Sequence, residues 1–236
     1  TPLYSSAASD VYKRQALHGM SKLAEQLVPY PTAYNVFFKR HNLVPRYCRI
    51  DHSMDKKSER ARVLKERNAL SSAKYAELNR ALCGFVSRFL ESAEVKTIGA
   101  FLPIGSEPNI SEVLEKWLRA DSNRRVFLPV TERKTMRFAY WDPEKPLKIG
   151  RFDVPEPTSE LFSEPPLLLV PCVALNKEGY RLGYGAGYYD RYLSACAEKP
   201  FTAGICFSEF CDLDFAAEPF DAKLDAVISD SGFRRL

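Results

Sequence analysis

Leu167-Leu-Leu-Val-Pro-Cys-Val-Ala-Leu175, followed by Arg181-Leu-Gly-Tyr-Gly-Ala-Gly-Tyr-Tyr-Asp-Arg191, is the stretch on which the fold turns. The first part is an apolar run with the length of a buried strand. The second alternates Gly183, Gly185 and Gly187 with larger residues, so the backbone can take positive φ and come close to a ligand. From Tyr188 to Ala197 the spacing is helical, with Tyr189, Tyr192, Leu193 and Cys196 on one face. Strand, glycine loop and helix aim free backbone N–H groups and a helix N-terminus at an anion. Arg181 and Arg191 bracket the loop as bidentate phosphate donors. Asp190, an anion among cations, suits a magnesium ion, or else caps the loop-to-helix junction. The unit reads as the phosphate-binding loop of a nucleotide-using enzyme. It fits neither the dinucleotide fingerprint nor the P-loop pattern, so a plain turn is the competing reading.

Outward from this unit, strands and helices alternate. Lys56 to Ala69 forms a charged helix whose Lys56 and Arg60 share a face, ordinarily a solvated one. Ser71 or Ser72 caps a second helix with core-facing Leu78, Leu82, Phe85, Val86, Phe89 and Leu90. A strand is expected over Thr97–Leu102. Asn109 and Glu112 then resemble a capping box for a helix through Val113, Leu114, Trp117 and Leu118. Glu107 falls in the loop beyond that strand, where open α/β sheets bind ligands, although a loop glutamate is ordinarily a surface charge. Arg125–Val130 and Met136–Trp141 make a hairpin-like unit. Phe201–Phe207 and Ala226–Ser229 are further strands. The pattern is α/β, with a mainly parallel sheet covered on both faces.

Composition narrows the chemistry. A chain of 236 residues can bury one good core. No apolar run approaches the roughly 20 residues that span a bilayer. The net charge of +4 arises wholly in residues 1–53, with seven Lys/Arg against three Asp/Glu; residues 54–236 hold 27 of each. A nucleic-acid footprint on the main domain is therefore not supported. His18, His41 and His52 also lie in that first segment. The remainder thus has no Ser-His-Asp triad, Cys-His pair or histidine-bearing zinc site. The six cysteines show no CxxC spacing and read as reduced thiols of a cytoplasmic protein. Residues 1–53 are an extension, either a targeting segment or sequence upstream of a start at Met54, expected to be disordered or outside the fold. The single catalytic domain is expected over 54–236.

The run from Val170 to Leu193 resembles the signature of the 5-formyltetrahydrofolate cyclo-ligase family, also called 5,10-methenyltetrahydrofolate synthetases. Lys65-Glu-Arg-Asn-Ala-Leu-Ser71, Phe101-Leu-Pro-Ile-Gly-Ser-Glu107, Pro155-Glu-Pro157 and Lys223-Leu-Asp-Ala-Val227 match in order and at the right spacing. The resemblance implies a three-layer α/β sandwich related to sugar-phosphate isomerases and CoA transferases. It also implies ATP-dependent cyclisation of 5-formyltetrahydrofolate to 5,10-methenyltetrahydrofolate, with Mg2+ and release of ADP and phosphate. On it, Lys56 and Arg60 are a nucleotide-binding basic pair. Arg181, Leu182, Gly183, Tyr184, Gly185, Ala186, Gly187, Tyr188 and Tyr189 form the ATP loop, of which Tyr184 to Tyr188 also face the folate. Leu102 and Glu107 contact the folate, and Asp190 and Asp225 hold magnesium. Arg181, Tyr188 and Asp190 are expected in the chemical step. Read from the residues alone, Asp225 can equally pair with Lys223 or Arg191, and the tyrosines can simply pack. Ala186 and Leu175-Asn176 depart from the family pattern, and Asn176 puts any role of a carboxylate there in doubt. The implied partners are small molecules (ATP and a reduced folate), with neither nucleic acid nor membrane, and the chain is expected to act as a monomer. A sugar-phosphate isomerase or CoA-transferase-like enzyme, or a silent member binding RNA or protein, is the alternative.

Overall fold

The computed structural model describes residues 55–236; the expectation for residues 1–53 lies outside them. Helix α1 (Lys56–Asn68) precedes α2 (Ser72–Ser92), whose first turn is closed by Ser71 Oγ accepting from Lys74 N at 3.2 Å. Along α2, Leu78, Leu82, Val86 and Leu90 recur every four residues and are buried. Truncating fully buried Leu82 to alanine would cost about 2–5 kcal/mol. The chain continues through β1 (Thr97–Gly99), α3 (Ser111–Arg119), β2 (Arg125–Glu132) and β3 (Thr135–Trp141). Short strands β4 (Lys148–Ile149), β5 (Pro155–Glu156) and β6 (Phe162–Ser163) lead to β7 (Leu167–Pro171). There follow β8 (Ala174–Leu175), β9 (Arg181–Leu182), α4 (Tyr188–Ala195), β10 (Phe201–Ile205), β11 (Ala226–Ser229) and β12 (Gly232–Arg235).

Eight strands form one sheet in the order β12-β11-β10-β7-β1-β2-β3-β6. The five from β11 to β2 run parallel, and β12, β3 and β6 add antiparallel edges. The first four residues of β7 are fully buried, as a strand covered on both faces requires. Helices pack on the sheet to make a three-layer α/β sandwich: α2 lies on β11 and β12, α3 on α2 and β2, and α4 on β3. The last contact runs through Phe138, whose ring meets Tyr192 and Tyr189 edge to face at 5.1 and 6.4 Å. No helix among the described residues is long and apolar enough to cross a membrane.

Three local expectations are corrected. The apolar run of residues 167–175 is not one strand. It leaves the sheet after Pro171, and β8 turns away to pair antiparallel with β9, Val173 N bonding Leu182 O at 2.8 Å. The Asn109–Glu112 box does not form: Glu112 pairs with Lys116 one turn on, and Asn109 Oδ1 accepts from Ser111 N. The charged helix α1 is not simply solvated, because Glu59, Val63 and Arg67, four residues apart, are buried on one face.

Candidate active site

The glycine loop bridges β9 and α4. Gly185 (φ +98°) and Gly187 (φ +66°) take left-handed conformations that L side chains rarely adopt. A Cβ on Gly187 would also stand 2.9 Å from Nη1 of Arg191. Arg60, reaching up from α1, donates from Nε to Gly183 O at 2.5 Å, and its guanidinium faces Gly185. The expected basic residue is therefore against the loop. Its partner Lys56, one turn earlier, pairs with Asp221 and Glu218.

The two bracketing arginines do not both face outward. Arg191 is committed to the scaffold: Nη2 donates to Ala186 O at 2.9 Å, and Nε to Lys134 O, in the β2–β3 turn, at 2.8 Å. Tyr188 OH bonds the same turn at Arg133 O, 2.7 Å. The loop is thus strapped to the hairpin, and the reading of Arg191 as a phosphate donor is corrected. Arg181 is buried, with its guanidinium 5.4 Å from the centre of the Tyr189 ring and ion-paired to Asp190. Its Nη1 and the Tyr189 hydroxyl are both buried without a protein partner. Such orphaned donors point to a water or ligand atom between these segments.

Asp190 spends Oδ2 on Arg181 and Oδ1 on the Ala222 amide at 3.1 Å. Asp225 accepts from both Thr202 N and Thr202 Oγ1 with Oδ2, fastening the start of β11 to β10. Asp225 shows none of the expected pairing with Lys223 or Arg191 among the described residues. Both aspartates open on one cavity of 590 Å³, with Asp221, Lys199 and Lys223 also on its wall. Among the described residues, no group of three or more His, Cys, Asp and Glu is placed to hold a metal ion.

On the other side of Tyr184 lies a second polar cluster. The Ile104–Glu107 turn closes on itself: Glu107 N donates to Ile104 O at 3.1 Å, and Glu107 Oε2 accepts from Ile104 N at 2.9 Å. Far from being a surface charge, Glu107 is buried, and desolvation pushes its carboxyl up to about 7. Leu102, half-buried, packs against the core at the head of this turn. Tyr75 OH donates to the Glu107 carbonyl at 2.7 Å.

Two residues that sequence reasoning missed belong here, and a third shapes the scaffold that leads into the loop. Arg67 is buried beside Ser106, Cys172 and Tyr184. Phe152, at φ 58° and well exposed, presents its ring 6.2 Å from that of Tyr188. Asn176, singled out only as a departure, organises the β8–β9 turn: Oδ1 accepts from Glu178 N and Tyr180 N, and Nδ2 donates to Phe215 O. The four-residue spacing of Glu59, Val63 and Arg67 was the available signal for the first; nothing local marks Phe152.

These segments meet beyond the C-terminal ends of β1, β2 and β7, the edge at which open α/β sheets take ligands. The profile of the 5-formyltetrahydrofolate cyclo-ligase family matches residues 52–230. A 5-formyltetrahydrofolate cyclo-ligase of Mycoplasma pneumoniae is 32% identical over 180 residues, covering 75% of this chain and 99% of its own length. One from Mycolicibacterium smegmatis is 31% identical, covering 72% and 91%. A solved 5,10-methenyltetrahydrofolate synthetase from Aquifex aeolicus superposes with a TM-score of 0.64 at 26% identity, covering 76% of this chain and 92% of that one. The synthetase structure from Mycoplasma pneumoniae gives 0.62 at 29%, covering 75% and 99%.

Proposed function

The chain belongs to the 5-formyltetrahydrofolate cyclo-ligase family, and we propose that it closes 5-formyltetrahydrofolate to 5,10-methenyltetrahydrofolate at the expense of ATP. The observation that carries this reading is the adjacency of two unlike surfaces across Tyr184. On one side Arg60 and the glycine loop present cationic and backbone donors. On the other, a buried carboxyl, Glu107, stands in a polar cluster with Arg67, Ser106 and Tyr75.

A formamide oxygen is a poor leaving group, so the reaction needs it converted into a phosphate ester first. The formyl oxygen attacks the γ-phosphorus, ADP departs, and the N10 amine closes on the resulting iminium carbon; phosphate then leaves, and the N10 proton is lost to it or to water. Such a transfer asks for positioning and charge neutralisation more than for a strong base, which suits a domain without histidine. Lys56, Arg60 and the N–H groups of the loop from Leu182 to Tyr189 would grip the triphosphate. Arg181, with Nη1 unpartnered, would supply charge at the transferred group. Glu107 would accept from the N–H edge of the pterin and Leu102 would border it, with Tyr184 and Tyr188 flanking the reacting carbon.

Asp190 and Asp225 suit magnesium in a limited sense. Asp225 keeps Oδ1 unengaged by a hydrogen bond among the described residues, whereas both oxygens of Asp190 already accept from a donor; this suits a water-rich ion carried by phosphates rather than a protein cage. Bound there, magnesium would neutralise charge on the β- and γ-phosphates.

The test is direct: purified protein, 5-formyltetrahydrofolate, Mg2+ and ATP are mixed and the methenyl chromophore followed. Product that appears only with ATP is expected. Its absence, or its formation without nucleotide, would overturn the reading.

A further inference from the structure

Arg67 is fully buried, yet among the described residues it makes no ion pair. Its three donor groups instead reach three separate segments. Nε donates to Ser106 Oγ at 3.0 Å, Nη1 to Cys172 O at 3.4 Å, and Nη2 to Tyr184 OH at 2.8 Å. Ser106 hands its own proton to Asn68 Oδ1, so the end of α1 grips the Ile104–Glu107 turn from both sides. A guanidinium without a carboxylate is costly to bury, and these three acceptors are all neutral. The opposite charge it faces is that of Glu107, with the Tyr184 hydroxyl between them: it accepts from Arg67 and donates to Ile104 O at 3.4 Å, in the turn whose Ile104 N is held by the Glu107 carboxyl.

We infer that Arg67 is a positioning residue of the folate site, acting through Tyr184 and Glu107. It orients the tyrosine hydroxyl and supplies a positive charge that favours the ionised form of Glu107, the form that receives the substrate's N–H groups. The inference rests on the folate role of Glu107 proposed above. Every element around that carboxyl contributes a group: Arg67 from α1, Tyr75 from α2, Cys172 beyond β7, Tyr184 from the loop and Tyr189 from α4. Burial drives the Cys172 thiol up to about 12 and lifts all three tyrosines, so these remain neutral around pH 7. Two cations face the group: Arg181 acts on Cys172 and Tyr189, and Arg67 is the one that opposes the upward pull of burial on Glu107.

The full chain is labelled with [13C]glutamate and the Glu107 carboxyl carbon titrated by NMR, assigned by its loss in Glu107→Gln. In Arg67→Gln the midpoint is expected to rise by about one unit, and in Arg67→Lys by less than half of that. The acidic limb of kcat/KM for the folate should move by the same amount, so that Arg67→Gln regains most of its activity near pH 8.5. A merely structural arginine would lower activity equally at every pH. An unmoved midpoint in Arg67→Gln overturns the inference. Should that variant fail to fold, an unmoved midpoint in Tyr184→Phe does so. Absence of methenyl product from the unmodified chain would sink the proposed reaction instead, and leave the measured Arg67–Glu107 coupling standing.

Discussion

Asp190 Oδ2 stands 2.9 Å from Arg181 Nη2, and the arginine side chain is only 6% exposed. The aspartate proposed for magnesium is therefore also the counter-charge of a buried guanidinium. Asp190→Asn removes that charge beneath a residue whose Nη1 already lacks a partner. We expect a loss of about 3 kcal/mol, seen as a fall in Tm of roughly 6–12 °C. Turnover measured well below that Tm should drop more than tenfold and not recover with excess Mg2+. Undiminished turnover at ordinary Mg2+ would leave Asp190 a structural residue.

Glu107 sets a pH dependence of stability. Its carboxyl sits near 7 when folded, above its ordinary value of 4.5. Between those values the folded state holds a proton that the unfolded chain has released, so stability falls as pH rises from about 4.5 to 7 and then levels. A gap of this size corresponds to about 3 kcal/mol. Glu107→Gln should therefore raise Tm at pH 8 and leave it nearly unchanged at pH 4.5, while folate affinity falls. Equal Tm shifts at both pH values would contradict the burial argument.

Phe152 is a non-glycine residue in a left-handed conformation with an exposed ring beside Tyr188. Backbone strain of this kind costs of the order of 1 kcal/mol and is retained mostly where the site needs it. Phe152→Gly relieves the strain and deletes the ring. Tm should hold or rise slightly, while KM for the folate increases about tenfold and KM for ATP does not. Unaltered folate kinetics would remove Phe152 from the site.

Gly185 and Arg60 should behave as one unit. A methyl group at Gly185 is strained by its φ of +98° and stands 3.5 Å from the Arg60 guanidinium carbon. Gly185→Ala and Arg60→Ala are each expected to raise KM for ATP at least tenfold. The double variant should be little worse than either, as contacting residues are not additive. Effects that multiply would mean the two act separately.

The glycine loop could be read from the chain because its cause is local: only those φ-permissive residues allow the turn at Gly185 and Gly187. The helical stripe of α2 was equally legible, since Leu78 to Leu90 repeat with the period that buries them. What escaped depends on partners distant in sequence. Glu59 and Arg67 look like any solvated charges until Val63 between them is seen facing the core. Arg191 was read as a ligand group, and the tie of Tyr188 to the hairpin went unseen, because the turn at Arg133 and Lys134, more than fifty residues earlier, lies beside them only in three dimensions. The long apolar run misled for a related reason: its length fitted one strand, but pairing with β9 pulls Ala174 and Leu175 out of the main sheet.

Lys56, Arg60 and Arg67 all hang from the single helix α1, at successive offsets of four and seven residues. At 100° per residue these offsets keep the three within a sector of roughly 40°, and 1.5 Å per residue spreads them over about 16 Å. On the roles proposed above, the helix would be a ruler between the two substrates, with its phase as important as its composition. One residue inserted between Arg60 and Arg67 would swing the nucleotide end by about 100° while the folate end stayed put. Family members should therefore tolerate exchanges along this segment far more readily than insertions or deletions.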